Sequence, residues 1–160
     1  MGTLTITDVD TTDFIGHDDL LNDVTAIVFD ATNTSDITVR FDGAQLGNLI
    51  ADNVSITGNG NFNNISIVMT GAGTVSAANW SFTNWTGGVD FTGSGGADTI
   101  TGSANPGGNL IVGGDGADIL TGGAGPDVFR YNFPGEVVAG DPSTAPGIRR
   151  YSGRVCRRDL

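Results

Sequence analysis

Gly113-Gly-Asp-Gly-Ala-Asp-Ile-Leu-Thr121 is followed without a gap by Gly122-Gly-Ala-Gly-Pro-Asp-Val-Phe-Arg130. Both stretches fit the nonapeptide pattern Gly-Gly-x-Gly-x-Asp-x-U-x, in which U is a large apolar residue, at every position. The first six residues of the pattern favour a tight turn, because glycine adopts backbone conformations closed to other residues. The last three favour a short β-strand with U pointing inward. Repeats of this kind predict a stack of parallel β-coils with two nonapeptides in each coil.

Two imperfect repeats precede the perfect pair. Residues 93–101 miss only the second glycine, where Ser94 stands. Residues 104–112 lose the first two glycines and carry Asn109 in place of the aspartate, and Gly102 and Ser103 separate them from the repeat before. A flexible acidic linker would not place a large apolar residue two positions after each Asp, so the pattern favours a folded coil. The residues expected to face inward are Ile100, Ile111, Leu120 and Phe129.

Turns that lie one coil apart are expected to face each other. Two repeats per coil pair Asp98 with Asp118, 20 residues on, and Asn109 with Asp127, 18 residues on. Each position-six aspartate is expected to face the turn one coil later, where a calcium ion could collect about six oxygen ligands or more. The first pair predicts a well-formed site and the second a weaker one, because asparagine brings no charge. The predicted metal ligands are Gly93, Gly95, Gly96, Asp98, Asn109, Gly113, Asp115, Gly116, Asp118, Gly122, Ala124, Gly125 and Asp127.

The acidic residues are almost all aspartate, and lysine is absent. Of 18 acidic residues only Glu136 is a glutamate, and the formal net charge is −11. Residues 1–139 carry −14 of charge and residues 140–160 carry +3. The negative charge of residues 1–139 repels nucleic acid. Bound cations would reduce the repulsion among these charges. Because the narrow apolar ladder of a coil buries little area, we also predict calcium-coupled folding.

The fold class predicted for the whole chain is all-β, a parallel β-solenoid or β-roll with irregular β-coils in the N-terminal half. Residues 1–36 are expected to form an N-terminal strand and an acidic, cap-like loop, and residues 37–92 solenoid-like coils. Residues 93–131 are expected to form a calcium-binding β-roll, and the arginine-rich residues 132–160 are expected to be a disordered basic tail. Short runs of β-type residues predict strands at 26–29, 37–41, 54–57, 65–69, 74–76, 80–82 and 89–91.

The sequence lacks the residues that several other functions require. Cys156 and His17 are each the only residue of their kind, so the chain holds no zinc motif and no Ser-His-Asp triad. We therefore expect a non-enzymatic module, with any catalytic part lying outside this chain. Neither an apolar membrane span nor an N-terminal signal peptide is expected. Trp80 and Trp85 could stack on sugars, but packing in the coil core is the more ordinary use.

Residues 93–131 resemble the calcium-binding β-roll of the RTX (repeats-in-toxin) family of secreted bacterial proteins. The closing Asp127-Val-Phe-Arg-Tyr131 is similar to the aromatic end of such arrays, and residues 76–86 are similar to the stretch that leads into them. The resemblance implies extracellular calcium binding and export by a type I apparatus that reads a C-terminal signal. It therefore implies a secreted protein without an N-terminal signal peptide.

The chain departs from this family after Tyr131. Five of its seven arginines lie in the last twelve residues, where the family has an apolar, acidic segment with more strands. This end resembles a truncated or frame-shifted terminus more than a secretion signal. Two alternative functions stay open: the C-terminal remnant of an exported hydrolase or toxin, and an adhesin or surface-layer fragment that binds glycan or protein.

Overall fold

The chain is a parallel β-solenoid of about five turns in a computed structural model that describes residues 2–7, 12–32, 35–130 and 149–150. The helical elements of these residues are two three-residue 3-10 turns, Asp18–Leu20 and Gly43–Gln45, so none of them is long and apolar enough to cross a membrane. The strands are β1 (Gly2–Ile6), β2 (Thr12–Asp13), β3 (Val24–Phe29), β4 (Thr38–Asp42), β5 (Ile50–Thr57), β6 (Asn64–Val68), β7 (Thr74–Ser76), β8 (Ser81–Thr83), β9 (Gly88–Thr92), β10 (Thr99–Thr101), β11 (Asn109–Val112), β12 (Ile119–Thr121), β13 (Val128–Arg130) and β14 (Arg149–Arg150).

The strands form three sheets, and every pairing between them is parallel. A long sheet runs in the order β14-β13-β11-β9-β6-β4-β2, an N-terminal sheet in the order β1-β3-β5-β8, and a C-terminal sheet in the order β12-β10-β7. From β1 to β13, consecutive strands thus lie in different sheets, and strands of successive coils pair with each other. The predicted all-β parallel solenoid is confirmed.

The coils become shorter along the long sheet from β4 onward. In the long sheet Val39 pairs with Ile65, Ile65 with Val89, and Val89 with Asn109, which are steps of 26, 24 and 20 residues. Asn109 in turn lies 18 residues before its partner Asp127. The N-terminal sheet ends at β8 and the C-terminal sheet begins at β7, so the coil that contains β7, β8 and β9 has all three faces. The repeats beyond it form a narrower, two-sided roll.

The core is a ladder of apolar side chains inside the coils. Along the long sheet one buried residue from each coil stacks on the next, since the register aligns them. The residues predicted to face inward in the repeats are each at most 2% exposed, and this prediction is confirmed. Trp80 is 2% exposed and packs in the same core, as predicted. The central ladder of the long sheet is Phe41, Ile67, Phe91, Ile111 and Phe129.

Both ends of the chain join this framework where the structure describes them. β1 pairs with β3 and β3 with β5, so the residues expected to be cap-like supply strands to the N-terminal sheet. The predicted disorder of residues 132–160 falls outside the described residues, apart from Arg149–Arg150. The backbone of this two-residue strand pairs with Val128 and Phe129.

Candidate cation site at the glycine-aspartate turns

The turns of residues 93–98 and 113–118, here called the first edge, stack directly on each other. The Asp98 amide donates to Asp118 Oδ1 at 2.9 Å, and the Asp115 amide donates to the Ser94 carbonyl at 3.1 Å. A Cβ added at Gly93 would overlap the Gly113 carbonyl oxygen, so only glycine permits this approach. The predicted pairing of Asp98 with Asp118 at a separation of 20 residues is confirmed.

The Asp98 carboxylate holds its own turn and the preceding coil together. Its Oδ2 accepts hydrogen bonds from the Ser94 amide at 2.6 Å and the Ser94 hydroxyl at 2.9 Å. Its Oδ1 accepts a bond from the Gly73 amide, 25 residues earlier, at 2.9 Å. The expectation that each position-six aspartate faces the turn one coil later was wrong in direction. The Asp98 side chain is buried and accepts the Gly73 amide of the preceding coil, just as Asp118 accepts the Asp98 amide.

Asp118 differs from Asp98 in one oxygen. Its Oδ1 accepts a hydrogen bond from the Asp98 amide. Its Oδ2 accepts none from the described part of the chain, although the residue is only 1% exposed. Gly114 occupies the position of Ser94 in this turn and has a φ of +100°, a backbone state that side chains other than glycine rarely adopt. A buried carboxylate oxygen without a donor is costly, and a bound cation would satisfy it.

The turns of residues 102–109 and 122–127, here called the second edge, have no such free oxygen at Asp127. Oδ1 of Asp127 accepts the Asn109 amide at 2.8 Å and Asn109 Nδ2 at 2.7 Å, and Oδ2 accepts the Gly123 amide at 2.9 Å. Asn109 Oδ1 accepts the Ser103 amide at 3.0 Å and the Ser103 hydroxyl at 2.6 Å. The predicted pairing of Asn109 with Asp127 is confirmed, and both side chains are satisfied within the protein.

The extra residues of the degenerate repeat lie inside its turn rather than before it. A Cβ added at Gly123 would overlap the Ser103 carbonyl oxygen, just as one added at Gly114 would overlap that of Ser94. Ser103 therefore occupies the second position of its repeat, and the repeat begins at Gly102. The prediction that this repeat begins at Ala104 was wrong. It placed the two extra residues, Gly102 and Ser103, before the turn, whereas the additional length lies within the turn.

Asn105 is a site residue that sequence reasoning missed. It is 1% exposed, and its Nδ2 donates to the Gly87 carbonyl at 3.1 Å and to the Gly108 carbonyl at 2.8 Å. Its Oδ1 accepts the Gly107 amide at 3.1 Å. An Asn followed by Pro-Gly-Gly is a turn signal in the sequence, but nothing in it shows that the side chain points inward.

The other predicted ligands are divided between the two edges. Gly95, Gly96, Asp115 and Gly116 lie on the first edge, where the Asp115 residue is exposed and contributes its amide to the turn contact. Gly122, Ala124 and Gly125 lie on the second edge, where the Ala124 amide donates to the Ser103 carbonyl at 3.3 Å. The contacts that Asp115 and Ala124 make between turns are thus hydrogen bonds between backbone atoms.

Among the residues that the structure describes, no three His, Cys, Asp or Glu side chains form a metal-binding cluster. A cation at the first edge would therefore depend on the Asp118 carboxylate and on backbone carbonyls. When the chain is compared with protein-family models, with curated proteins and with solved structures, none of them matches it.

Proposed function

We propose that this chain binds a calcium ion at the first edge, between the turns of residues 93–98 and 113–118. The observation that carries the proposal is the buried Asp118 Oδ2, which accepts no hydrogen bond from any residue that the structure describes. It lies in a turn whose glycines let two backbones approach closely, with the Gly113 and Ser94 carbonyl oxygens directed at the neighbouring turn. An unpaired carboxylate oxygen, in stacked turns whose backbone also offers carbonyl oxygens, favours a hard cation.

Calcium fits this set of donors better than other common metals. Zinc prefers nitrogen and sulfur ligands, and the first edge has neither in its side chains. Magnesium demands a small, near-octahedral cage, whereas calcium accepts carbonyl oxygens in flexible arrangements of about six to eight ligands. Asp118 would supply the carboxylate, with carbonyl oxygens of Gly113, Ser94 and Gly96 as the backbone donors.

We further propose the biological setting that the RTX resemblance implies. The chain is a secreted, non-enzymatic module, and calcium at the millimolar levels of extracellular sites completes the folding of its roll. The N-terminal coils have a broader core with aromatic residues, so calcium-coupled folding is centred on the first edge. Trp80 is 2% exposed, so the alternative function of glycan binding at its ring has no accessible surface there.

A calcium titration followed by calorimetry and far-UV circular dichroism tests the proposal. We expect saturable binding with a dissociation constant of about 10⁻⁴–10⁻³ M, stronger β-structure signal, and much less effect of magnesium. Asp118→Asn should weaken binding at least about tenfold, since it removes the charge that faces the ion. Asp52→Asn, which removes an exposed charge outside the turns, is the matched control and should bind as the unaltered chain does. Identical heats and spectra in chelator and in about 10 mM calcium, above the extracellular range, would contradict the proposal.

A further inference from the structure

Two asparagine amides fill the second edge. Asn105 Nδ2 donates to the Gly87 and Gly108 carbonyl oxygens, and Asn109 Nδ2 donates to the Ser103 carbonyl at 3.1 Å and to Asp127 Oδ1 at 2.7 Å. Both residues are at most 3% exposed. The Asn105 NH₂ group thus donates to two carbonyl oxygens, and the Asn109 NH₂ group donates to one carbonyl oxygen and one carboxylate oxygen. Both kinds of oxygen are ligands that calcium prefers.

The electrostatics of the second edge differ from those of the first. Three N–H groups, from Asn109 and Gly123, satisfy both oxygens of the Asp127 carboxylate. At the first edge the corresponding Asp118 keeps one buried oxygen free. The partial positive charge on an amide NH₂ is small, but it is fixed in place by the chain, so it costs no entropy of capturing an ion.

We infer that Asn105 and Asn109 form an amide lock, in which two side-chain amides take the place of a bound cation at the second edge. The lock closes this side of the roll without metal, and the chain takes up a single ion at the first edge. The count of one rests on the proposed function, whereas the lock itself rests on the contacts of the second edge.

The lock predicts that one substitution converts the second edge into a calcium-dependent site. In Asn109→Asp, a carboxylate oxygen replaces the NH₂ group that now lies 2.7 Å from Asp127 Oδ1. Two buried carboxylates at that distance repel each other unless a cation lies between them. We expect the thermal midpoint in chelator to fall by about 5 °C or more. Calcium should then restore it, and the calorimetric stoichiometry should rise from one ion to two.

A matched control exists on the outer face of the long sheet. Asn64 Nδ2 donates to Asp90 Oδ2 at 2.9 Å, so Asn64→Asp creates a similar pair of carboxylates away from any glycine turn. This variant should also lose thermal stability in chelator, but its calcium stoichiometry should stay at one. The comparison of the two variants separates an effect of charge repulsion alone from the creation of a calcium site at the second edge.

A second variant tests the lock without creating a new charge. Asp127→Asn keeps an oxygen for Asn109 and should still bind one ion, because the second edge holds no metal. Asp118→Asn should instead bind its ion at least about tenfold more weakly. Loss of the ion in Asp127→Asn would show that Asp127 ligates it and would overturn the inference.

The remaining outcomes separate the inference from the proposed function. Two outcomes would overturn the lock. One is the binding of two ions by the unaltered chain. The other is an Asn109→Asp chain that binds no second ion and does not regain stability, or does not fold, with calcium. If the unaltered chain binds no ion while Asn109→Asp becomes calcium-dependent, the proposed site at the first edge is refuted and the lock is supported.

Discussion

At the scale of single residues, aspartate is used in two ways in this solenoid. In the glycine turns Asp98, Asp118 and Asp127 point inward and accept backbone amides of the coil before. Asp90 instead lies in the middle of the long sheet, where its Oδ2 accepts a hydrogen bond from the side-chain amide of Asn64. Burial raises the pKa of the Asp90 carboxyl above its usual value of 3.8, and the bond from Asn64 offsets part of this effect.

The raised pKa of Asp90 predicts a stabilising substitution. The folded chain binds this proton more tightly than the unfolded chain, so stability falls as the pH rises from 3.8 through the raised pKa. Asp90→Asn removes the charge and keeps an oxygen for Asn64. We expect the variant to be more stable than the unaltered chain at pH 7, with the difference shrinking below pH 3.8 in urea unfolding curves.

Asp30→Asn is a control of opposite sign. Backbone and side-chain hydrogen bonds from Thr32 lower the pKa of the Asp30 carboxyl. Its ionised form is therefore favoured in the folded chain, and that stabilisation is lost as the pH falls through the lowered pKa. This variant should be slightly less stable at neutral pH and equal to the unaltered chain in acid. Equal pH dependence in both variants would contradict the assignment.

At the scale of the strand, the repeats contribute one large buried side chain each. In strands of three or four residues the central apolar residue enters the core, and its neighbours face outward or lie at the turns. The ladder is continuous because parallel register places each of these residues on its equivalent in the next coil. Each coil is therefore stabilised mainly by the coils before and after it.

Removing one member of the ladder should weaken the roll from its middle. Ile111 is 0% exposed and pairs in register with Phe91 and Phe129. Ile111→Ala should lower the free energy of unfolding by about 2–5 kcal/mol and Ile111→Val by about 0.5–1.5 kcal/mol, as expected for a buried cavity. Urea unfolding followed by circular dichroism measures both.

Leu110 provides the matched control for this cavity. It is adjacent in β11, points to the opposite face and is only partly buried. Leu110→Ala should therefore cost clearly less stability than Ile111→Ala. Equal losses at the two positions would be incompatible with an inward ladder.

At the scale of the whole molecule, the dominant features are the shortening of the coils and the concentrated negative charge. The early coils surround a core that contains buried aromatic residues, and the coil of β7, β8 and β9 contributes a strand to each of the three sheets. The coils after it contain fewer residues and contribute strands to two sheets. The formal net charge of the chain is −11, with −14 in residues 1–139, and Arg40 forms an ion pair with Asp13 at 2.7 Å. Self-repulsion of the acidic surface opposes the folded state.

Salt should therefore stabilise the chain even without calcium. Raising the ionic strength from about 0.01 M to about 0.15 M shortens the Debye length from roughly 30 Å to roughly 8 Å. We expect the thermal midpoint in chelator to rise by a few degrees over that range, as screening weakens the repulsion. A few millimolar calcium should add a further increase that magnesium at equal ionic strength does not match. A midpoint independent of sodium chloride would argue against charge repulsion as a main destabilising term.

Much of the fold and part of the candidate site could be predicted locally. The inward positions of Ile100, Ile111, Leu120 and Phe129 follow from the repeat pattern, because each short strand carries its own turn signal and one large apolar residue. The partners Asp98 and Asp118 follow from the number of residues in one coil. The N-terminal strands were also predictable from β-type runs between turn residues, although their sheets were not.

The sequence by itself determined a parallel β-coil, its inward ladder and the two glycine-aspartate edges, because these depend on residues close together in the chain. Only the tertiary structure decided that Ser103 is the second residue of its turn and that Asn105 points into this turn. It also decided that Asp118, unlike Asp127, has an oxygen without a donor among the described residues. The physical reason is coil length. Contacts between coils depend on a step that varies from 29 residues (Ala26 to Ser55) to 18 residues (Asn109 to Asp127), and no local pattern encodes that variation.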